Sequence, residues 1–309
     1  MSSSTEAEGG MTSFPRSSAA RRRKDRLMRT VLALATGIAL IPLLLILYYL
    51  LQKGLGSWNG KFFTSDPNLN QCFPRLPGAP PPPPCDIGGI RSAILGTIEI
   101  VALATLAAVP VGVGVALYLT EYGKQSRFAN AVRYFVDVMT GVPSIVFGLF
   151  IYTVLVVSHV GGDAVGWKGA LALALLMLPI VIRSAEVVLS LVPSSLREGA
   201  LALGAPRWRV VTQIVLPTAR SGLVTGSLLA IARGAGETAP LLFTIGAAHV
   251  VTGNLGQPMN SLPGQIFSDL GQNTDNFVSR AWGAALTLVA LILVLNLIAR
   301  AASRRSRVA

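Results

Sequence analysis

Two charged pairs interrupt otherwise uncharged apolar runs, and chemistry in this chain must start from them. Arg233 and Glu237 lie one helical turn apart in the run from Gly222 to Ala247, and Arg183 and Glu186 lie at similar spacing in the run from Gly169 to Leu191. Arg233 falls about eleven residues into its run, hence roughly 16 Å along a helix, close to the middle of a hydrocarbon layer roughly 30 Å thick. An arginine there costs about 2.5 to 3.5 kcal/mol on insertion scales, so it needs a partner or a wet cavity. Glu237 supplies the partner. On a wheel of about 100° per residue the pair shares a sector with Gly226, Ala230 and Gly234, opposite Val224, Leu228, Ile231, Ala232 and Ala235. The pair is therefore expected to face the helix bundle. Gly234, Gly236 and Pro240 predict a kink or break just beyond Arg233, and loosened backbone at that depth suits a substrate passage better than an ion pair that only fixes packing.

Arg183 and Glu186 sit nearer the cytoplasmic end of their run. Two readings stand side by side there, a snorkelling arginine and an inward-facing charge. Glu99 and Asp137, near the ends of apolar runs, read as capped or interfacial carboxylates, and His159 and His249 as solvated side chains of outer loops.

The element that must link these runs is the polar interval from Pro193 to Pro217, LVPSSLREGALALGAPRWRVVTQIVLP with its flanks. Ser194 and Ser195 offer caps with Glu198 behind them, predicting a short helix from Leu196 to Leu203 that Gly204 ends. Pro206 starts a second helix, in which Val210, Val211, Ile214 and Val215 make an apolar stripe before Pro217 closes the unit. A connector needs no such shaping, so the interval reads as a docking element for a partner outside the membrane.

The chain has 309 residues, 52% of them hydrophobic and 13% charged. Apolar runs at 31–51, 92–120, 134–157, 169–191, 222–247 and 281–299 are each long enough to cross a bilayer, so the fold class is an all-α polytopic membrane protein with six transmembrane helices. Residues 1–30 form a basic tail read as disordered, 52–91 a proline-rich excursion, 92–300 the core and 301–309 a second basic tail. The net charge of +12 is carried at the ends of the apolar runs, where it sets topology, and gives no nucleic-acid signal. Inner segments hold the arginine-rich tails together with Lys124, Arg127, Arg133, Arg197, Arg207, Arg209 and Arg220, whereas outer segments hold only Lys53, Lys61, Arg75, Arg91, Lys168 and Arg280. This asymmetry places both termini and the 193–217 interval in the cytoplasm. Cys72 and Cys85 are the only cysteines; with the excursion outside, they either close a disulfide in an oxidising compartment or remain two unpaired thiols. With two histidines besides, no metal site of ordinary composition can be assembled.

Glu198-Gly199-Ala200, three residues, Gly204, nine residues and Ile214-Val215-Leu216-Pro217 resemble the EAA loop of ABC-importer permeases, with Gly199 where the family often has Ala. In that family the loop forms coupling helices on a cytosolic ATPase, and the fold is the type I importer permease. The run Arg233-Gly-Ala-Gly-Glu237-Thr-Ala-Pro240-Leu-Leu-Phe243 resembles the PstA family, one of two permease subunits of phosphate-specific importers, as do Gly141-Val-Pro143-Ser-Ile-Val-Phe-Gly148 and Leu178-Pro179-Ile-Val-Ile-Arg183. The resemblance covers most of 92–300 and leaves the 52–91 insert outside the pattern. It implies that Arg233, with Glu237 as companion acid, serves phosphate movement, and that Arg183 belongs to the same path. It also implies the partners: a second, PstC-like permease, a PstB-like ATPase dimer, a PstS-like extracytoplasmic binding protein, and membrane lipid. An arginine on the path lowers the cost of carrying an oxyanion through a low dielectric, and the neighbouring carboxylate keeps it from trapping the ion.

No G-x-x-x-x-G-K-[ST] run is present, so ATP and magnesium are assigned to the partner ATPase and no cofactor to this chain. An intramembrane enzyme is disfavoured, because no apolar run contains a histidine or cysteine from which to build a catalytic pair. A passive anion channel could use the same lining but leaves the coupling loop unexplained. The choice of phosphate over sulfate or molybdate rests on the resemblance alone.

Overall fold

The computed structural model describes residues 19–68, 86–123, 126–272 and 274–305, and the chain divides into two compact units, Met1–Tyr49 and Leu50–Ala309. The first unit is helical from Ala19, the start of α1 (Ala19–Leu55). Residues 19–30, expected to be disordered, thus continue the helix of the first span, since Ala, Arg, Lys, Leu and Met are good helix formers. Likewise the last helix runs on to Arg305, through much of the basic tail.

The second unit is built from α2 (Gly60–Thr64), α3 (Arg91–Leu117), α4 (Arg127–Gly141), α5 (Ser144–Ile151), α6 (Gly166–Ser190), α7 (Ser194–Ala202), α8 (Arg207–Val210), α9 (Leu216–Ala235), α10 (Ala239–Thr244), α11 (Leu262–Leu270) and α12 (Asp275–Arg305). Among the described residues the only β pairing is a single bridge between Pro67 and Gly88. That bridge and the bond from Asn68 N–H to the Ile87 carbonyl (2.9 Å) join the chain on either side of residues 69–85. Cys72 and Cys85 lie outside the described residues.

The core is a three-helix stack of α3, α6 and α9, in which Ile100, Ala104, Leu173, Met177, Val181 and Ala230 are buried together. Small residues let the backbones approach, as expected where lipid gives no hydrophobic drive between helices. A β-carbon on Gly226 would stand 2.6 Å from Ser184 Oγ, and one on Gly234 2.8 Å from Met177 Sδ, which fixes α9 antiparallel to α6 in that register.

Among the described residues five helices are long and apolar enough to cross a membrane, and a sixth crossing exists if the pair α4 and α5 is taken as one. The expected continuous span 134–157 is instead broken at Val142–Pro143, both extended, and its two halves meet at 103°. Proline removes a helical hydrogen bond and disfavours helix in the residue before it, which accounts for the bend. Periodicity missed it because both halves are apolar enough to read as one run.

Three π-helical turns, Tyr118–Tyr122, Tyr152–Val156 and Val211–Val215, extend or join these helices. The third matters most. Pro217 was expected to close the cytoplasmic unit, yet helix runs unbroken from Arg207 to Ala235. The π turn carries the Leu216 N–H to the Val211 carbonyl, and Pro217, without an N–H of its own, falls in the first turn of α9.

Candidate functional site

The break predicted beyond Arg233 is present, and Pro240 starts a helix instead of kinking one. α9 closes with the Gly236 N–H bonded to the Arg233 carbonyl (3.1 Å) and the Glu237 N–H to the Gly234 carbonyl (3.2 Å). Residues 236–238 are non-helical, and α10 opens with Pro240 in its first turn, where a missing N–H costs nothing. α10 packs on α5 and α6: Gly148 abuts Pro240, and Gly169 abuts Ile245 and Leu241. The two sequence runs Gly141 to Gly148 and Arg233 to Phe243 are therefore in contact.

Arg233 Nε lies 3.5 Å from Glu237 Oε1, a loose pair that, among the described residues, leaves the outer nitrogens of the guanidinium open to another anion. Glu237 is 16% exposed but Arg233 is 61% exposed. The expectation that both charges face this chain's own bundle is corrected: Gly226, Ala230 and Gly234 make the close contact with α6, and Arg233, at the edge of their sector, is turned outward with Thr225 and Leu229 at spacing of four. On the opposite side of α9, Ile231 and Ala235 line a cavity with Val101 and Thr105 of α3 and Leu291 and Leu295 of α12, whereas Leu228 lines another with Ser184 and Gly226.

Arg183 neither snorkels freely nor joins Arg233. Its Nη1 donates to Glu186 Oε2 at 2.8 Å, its Nη2 pairs with Asp137, and Glu186 Oε1 accepts from Arg133 Nε at 2.7 Å. Four charges of alternating sign, two on α4 and two on α6, thus tie the bent pair to the core. Because Ser184 is level with Gly226, Arg183 lies about 10 Å along the helix axes from Arg233. Asp137 was expected to be a capped or interfacial carboxylate; it is a member of this network. Of Glu99, expected to be capped or interfacial, the Oε2 is buried without a hydrogen-bond partner among the described residues.

In the 193–217 interval, α7 begins after Pro193 and has no side-chain cap, so Ser194 and Ser195 occupy its first turn instead of capping it. Gly204, at φ +81°, ends α7 in a left-handed conformation, with the Gly204 and Ala205 N–H groups bonded to the Leu201 and Ala200 carbonyls (2.9 and 3.1 Å). The stripe expected to meet a partner is consumed internally: Val210, Val211 and Val215 are buried against Ala116, Ala185 and Leu189, with Ile214 packed beside them. What the interval offers outward is Leu196, Leu201, Leu203 and Trp208, the last flanked by Arg209 at 5.4 Å from its ring centroid. Glu198, Gly199, Gly204 and Pro217 are exposed on this face, and Ala200 and Leu216 are partly covered.

Sequence reasoning missed a buried polar cluster at the opposite end of the bundle. Arg280 and Asp269, 1% and 0% exposed, are joined by two bonds of 2.6 and 2.8 Å, and Gln265 donates to Asp269 Oδ1 at 2.8 Å. Arg280 also donates to the Ile87 carbonyl. Lys168, fully buried, donates to the Leu155, Gly162 and Asp163 carbonyls at 2.6 to 3.0 Å. Arg280 and Lys168 had been counted only as outer charges; their single signal is a cation just beyond a helix start. His249 is not simply solvated: its Nδ1 is buried without a partner among the described residues, and burial lowers its pKa below the ordinary 6.5, helped by Arg280 and opposed by Asp269.

Residues 108–308 match the family described as "Binding-protein-dependent transport system inner membrane component". The phosphate transport system permease protein PstA of Pasteurella multocida is 37% identical over 91% of this chain and 94% of the relative, and PstA of Yersinia pestis 40% identical over 94% and 93%. The chain belongs to the PstA permease family. As an inner-membrane permease it is a transport component and not an enzyme, and ATP hydrolysis lies in a separate subunit. A solved bacterial alginate ABC transporter in complex with its periplasmic protein has a chain of the same fold, with TM-score 0.63 at 18% identity over 92% of this permease and 96% of that chain. The family is that of binding-protein-dependent transport systems, and the loose Arg233–Glu237 pair at a helix break sits in the part of the chain the family match covers.

Proposed function

We propose that this PstA permease forms one half of the passage of an ATP-driven importer of inorganic phosphate. The observation that carries the reading is Arg233, 61% exposed yet set in an apolar helix beside a break and held only loosely by Glu237. An arginine on that surface is costly against lipid, and its outward stripe with Thr225 and Leu229 suits closure by a second, PstC-like permease subunit. Arg233 offers charge-assisted bonds to a phosphate oxyanion, Glu237 limits how tightly the ion is held, and Arg183 serves the same path from its lower level through the charge it shares with Glu186 and Asp137.

In this reading both termini and α7–α8 are cytoplasmic, where Glu198, Gly199, Ala200, Gly204, Ile214, Leu216 and Pro217 shape the seat for a PstB-like ATPase dimer. That dimer binds ATP and magnesium, and this chain binds no cofactor. A PstS-like protein delivers phosphate to the outer face. That these relatives are phosphate transport permeases, 37% to 40% identical along nearly their whole length, supports phosphate over other oxyanions. The test is uptake of labelled phosphate into vesicles holding all four components: uptake that requires ATP hydrolysis supports the reading, and phosphate flux in the absence of the ATPase would replace it with a passive channel.

A further inference from the structure

We propose that Arg197 is a positioning residue that makes α7 part of the α3–α6 body, so that the ATPase acts on two separate levers, α7 with α3 and α6, and α8 with α9. The proposal rests on the transporter reading above and adds the route by which force enters the chain.

Arg197 joins three elements with one guanidinium. Its Nε and Nη2 donate to Glu121 Oε1 at 3.1 and 2.9 Å, its Nη1 to the Val192 carbonyl at 2.6 Å, and its Nη2 also to the Leu189 carbonyl at 2.8 Å. Glu121 lies in the π turn that prolongs α3, and Leu189 in the last turn of α6, whose terminal carbonyls have no partner within the helix. The pair is well covered, Arg197 being 13% and Glu121 9% exposed, so breaking it strands a charge away from water. α7 cannot shift against α3 or α6 without losing these bonds.

The other arm is fastened differently: it meets the α3–α6 body through the apolar contacts of Val210 and Val215 with Ala116, Ala185 and Leu189, which are non-directional and allow sliding that the bonds of Arg197 do not. α8 continues through the π turn into α9 without interruption, so a displacement of α8 is a displacement of the helix that carries Arg233. Between the arms, Gly204 has φ +81° and open space where a β-carbon would stand, which lets the joint flex. Motion of the two arms relative to one another therefore becomes motion of α9 against the α3–α6 body, along the register that Gly226 and Gly234 set.

The experiment uses the reconstituted four-component transporter and has two arms. In a background with Cys72→Ser and Cys85→Ser, spin labels are placed at Leu201→Cys with Tyr122→Cys, and at Leu201→Cys with Thr218→Cys. The account expects the 122–201 distance to be the same in nucleotide-free and ATP-trapped complexes and the 201–218 distance to change; a 122–201 distance that changes as much would overturn it. In the second arm, Glu121→Gln keeps the shape of the joint but removes its charge. ATP hydrolysed per phosphate imported is expected to rise about fivefold, the difference between a charged and a neutral hydrogen bond, with subunit composition intact. Arg197→Lys should move the ratio in the same direction. An unchanged ratio in Glu121→Gln overturns the proposal. A wild-type complex that hydrolyses ATP but imports no phosphate would instead overturn the transporter reading, and the distances would still decide the joint.

Discussion

Gly148 lies so close to Pro240 that a β-carbon on it would stand 2.6 Å from the Pro240 α-carbon. This contact sets α5, the second half of the bent pair, against the first turn of α10, and so holds open the non-helical residues that follow Arg233. The break is kept by a neighbour and not by proline alone.

Gly148→Ala is accordingly expected to push α5 from α10. Overpacking of this kind costs about 1 to 3 kcal/mol, because the atom met is backbone and cannot rotate away. A lowered melting temperature of the purified complex, together with reduced phosphate uptake, is the expected outcome. A variant with wild-type melting and uptake would show that the contact does not shape the break.

Asp269→Asn tests the buried cluster. Replacing the carboxylate leaves Arg280 as a charge with no counter-ion in a site that is 1% exposed, and breaking such a pair costs about 3 to 5 kcal/mol. Because Arg280 also holds the Ile87 carbonyl, limited proteolysis should cut near residues 86–90 sooner than in the wild type. Unchanged stability would mean that the pair is solvated in the membrane-bound protein.

His249 gives a pH dependence with a defined sign. Its pKa is lowered in the folded chain by burial and by Arg280, so the unfolded chain binds the proton first as pH falls. Stability is full above the ordinary value of 6.5 and declines as pH drops from there toward the lowered folded value. Thermal unfolding followed between about pH 8 and pH 5 should show this decline, and His249→Gln should flatten it. A decline of the same size in His249→Gln would assign it to other groups.

Much of this architecture was legible in the residues. Apolar length located every long span, the cluster Gly234, Gly236 and Pro240 located the break, and the glycine and prolines between Pro193 and Pro217 located the short helices α7 and α8. Three features were not legible, each for a physical reason. The bend at Val142–Pro143 was hidden because both of its halves are apolar. The outward turn of Arg233 was hidden because a wheel gives angles, whereas which sector is packed depends on the side chains of the neighbour that the small residues meet, here Ser184 and Met177 against Gly226 and Gly234. The ion pairs Arg197–Glu121 and Arg280–Asp269 were hidden because pairing across helices depends on tertiary register, and the separations of 76 and 11 residues carry no periodic signal.

The central claim is that Arg233 handles the anion while the chain keeps its fold. Arg233 is itself exposed and its contact with Glu237 is loose, so its removal should cost little stability. The most direct measurement is ATP-dependent phosphate uptake by the reconstituted complex carrying Arg233→Ala, read beside its melting temperature and subunit composition. The account predicts uptake reduced about a hundredfold or more, as for loss of a charged bond in a low-dielectric passage, with assembly and melting unchanged. Uptake near the wild-type rate in a fully assembled Arg233→Ala complex would contradict it.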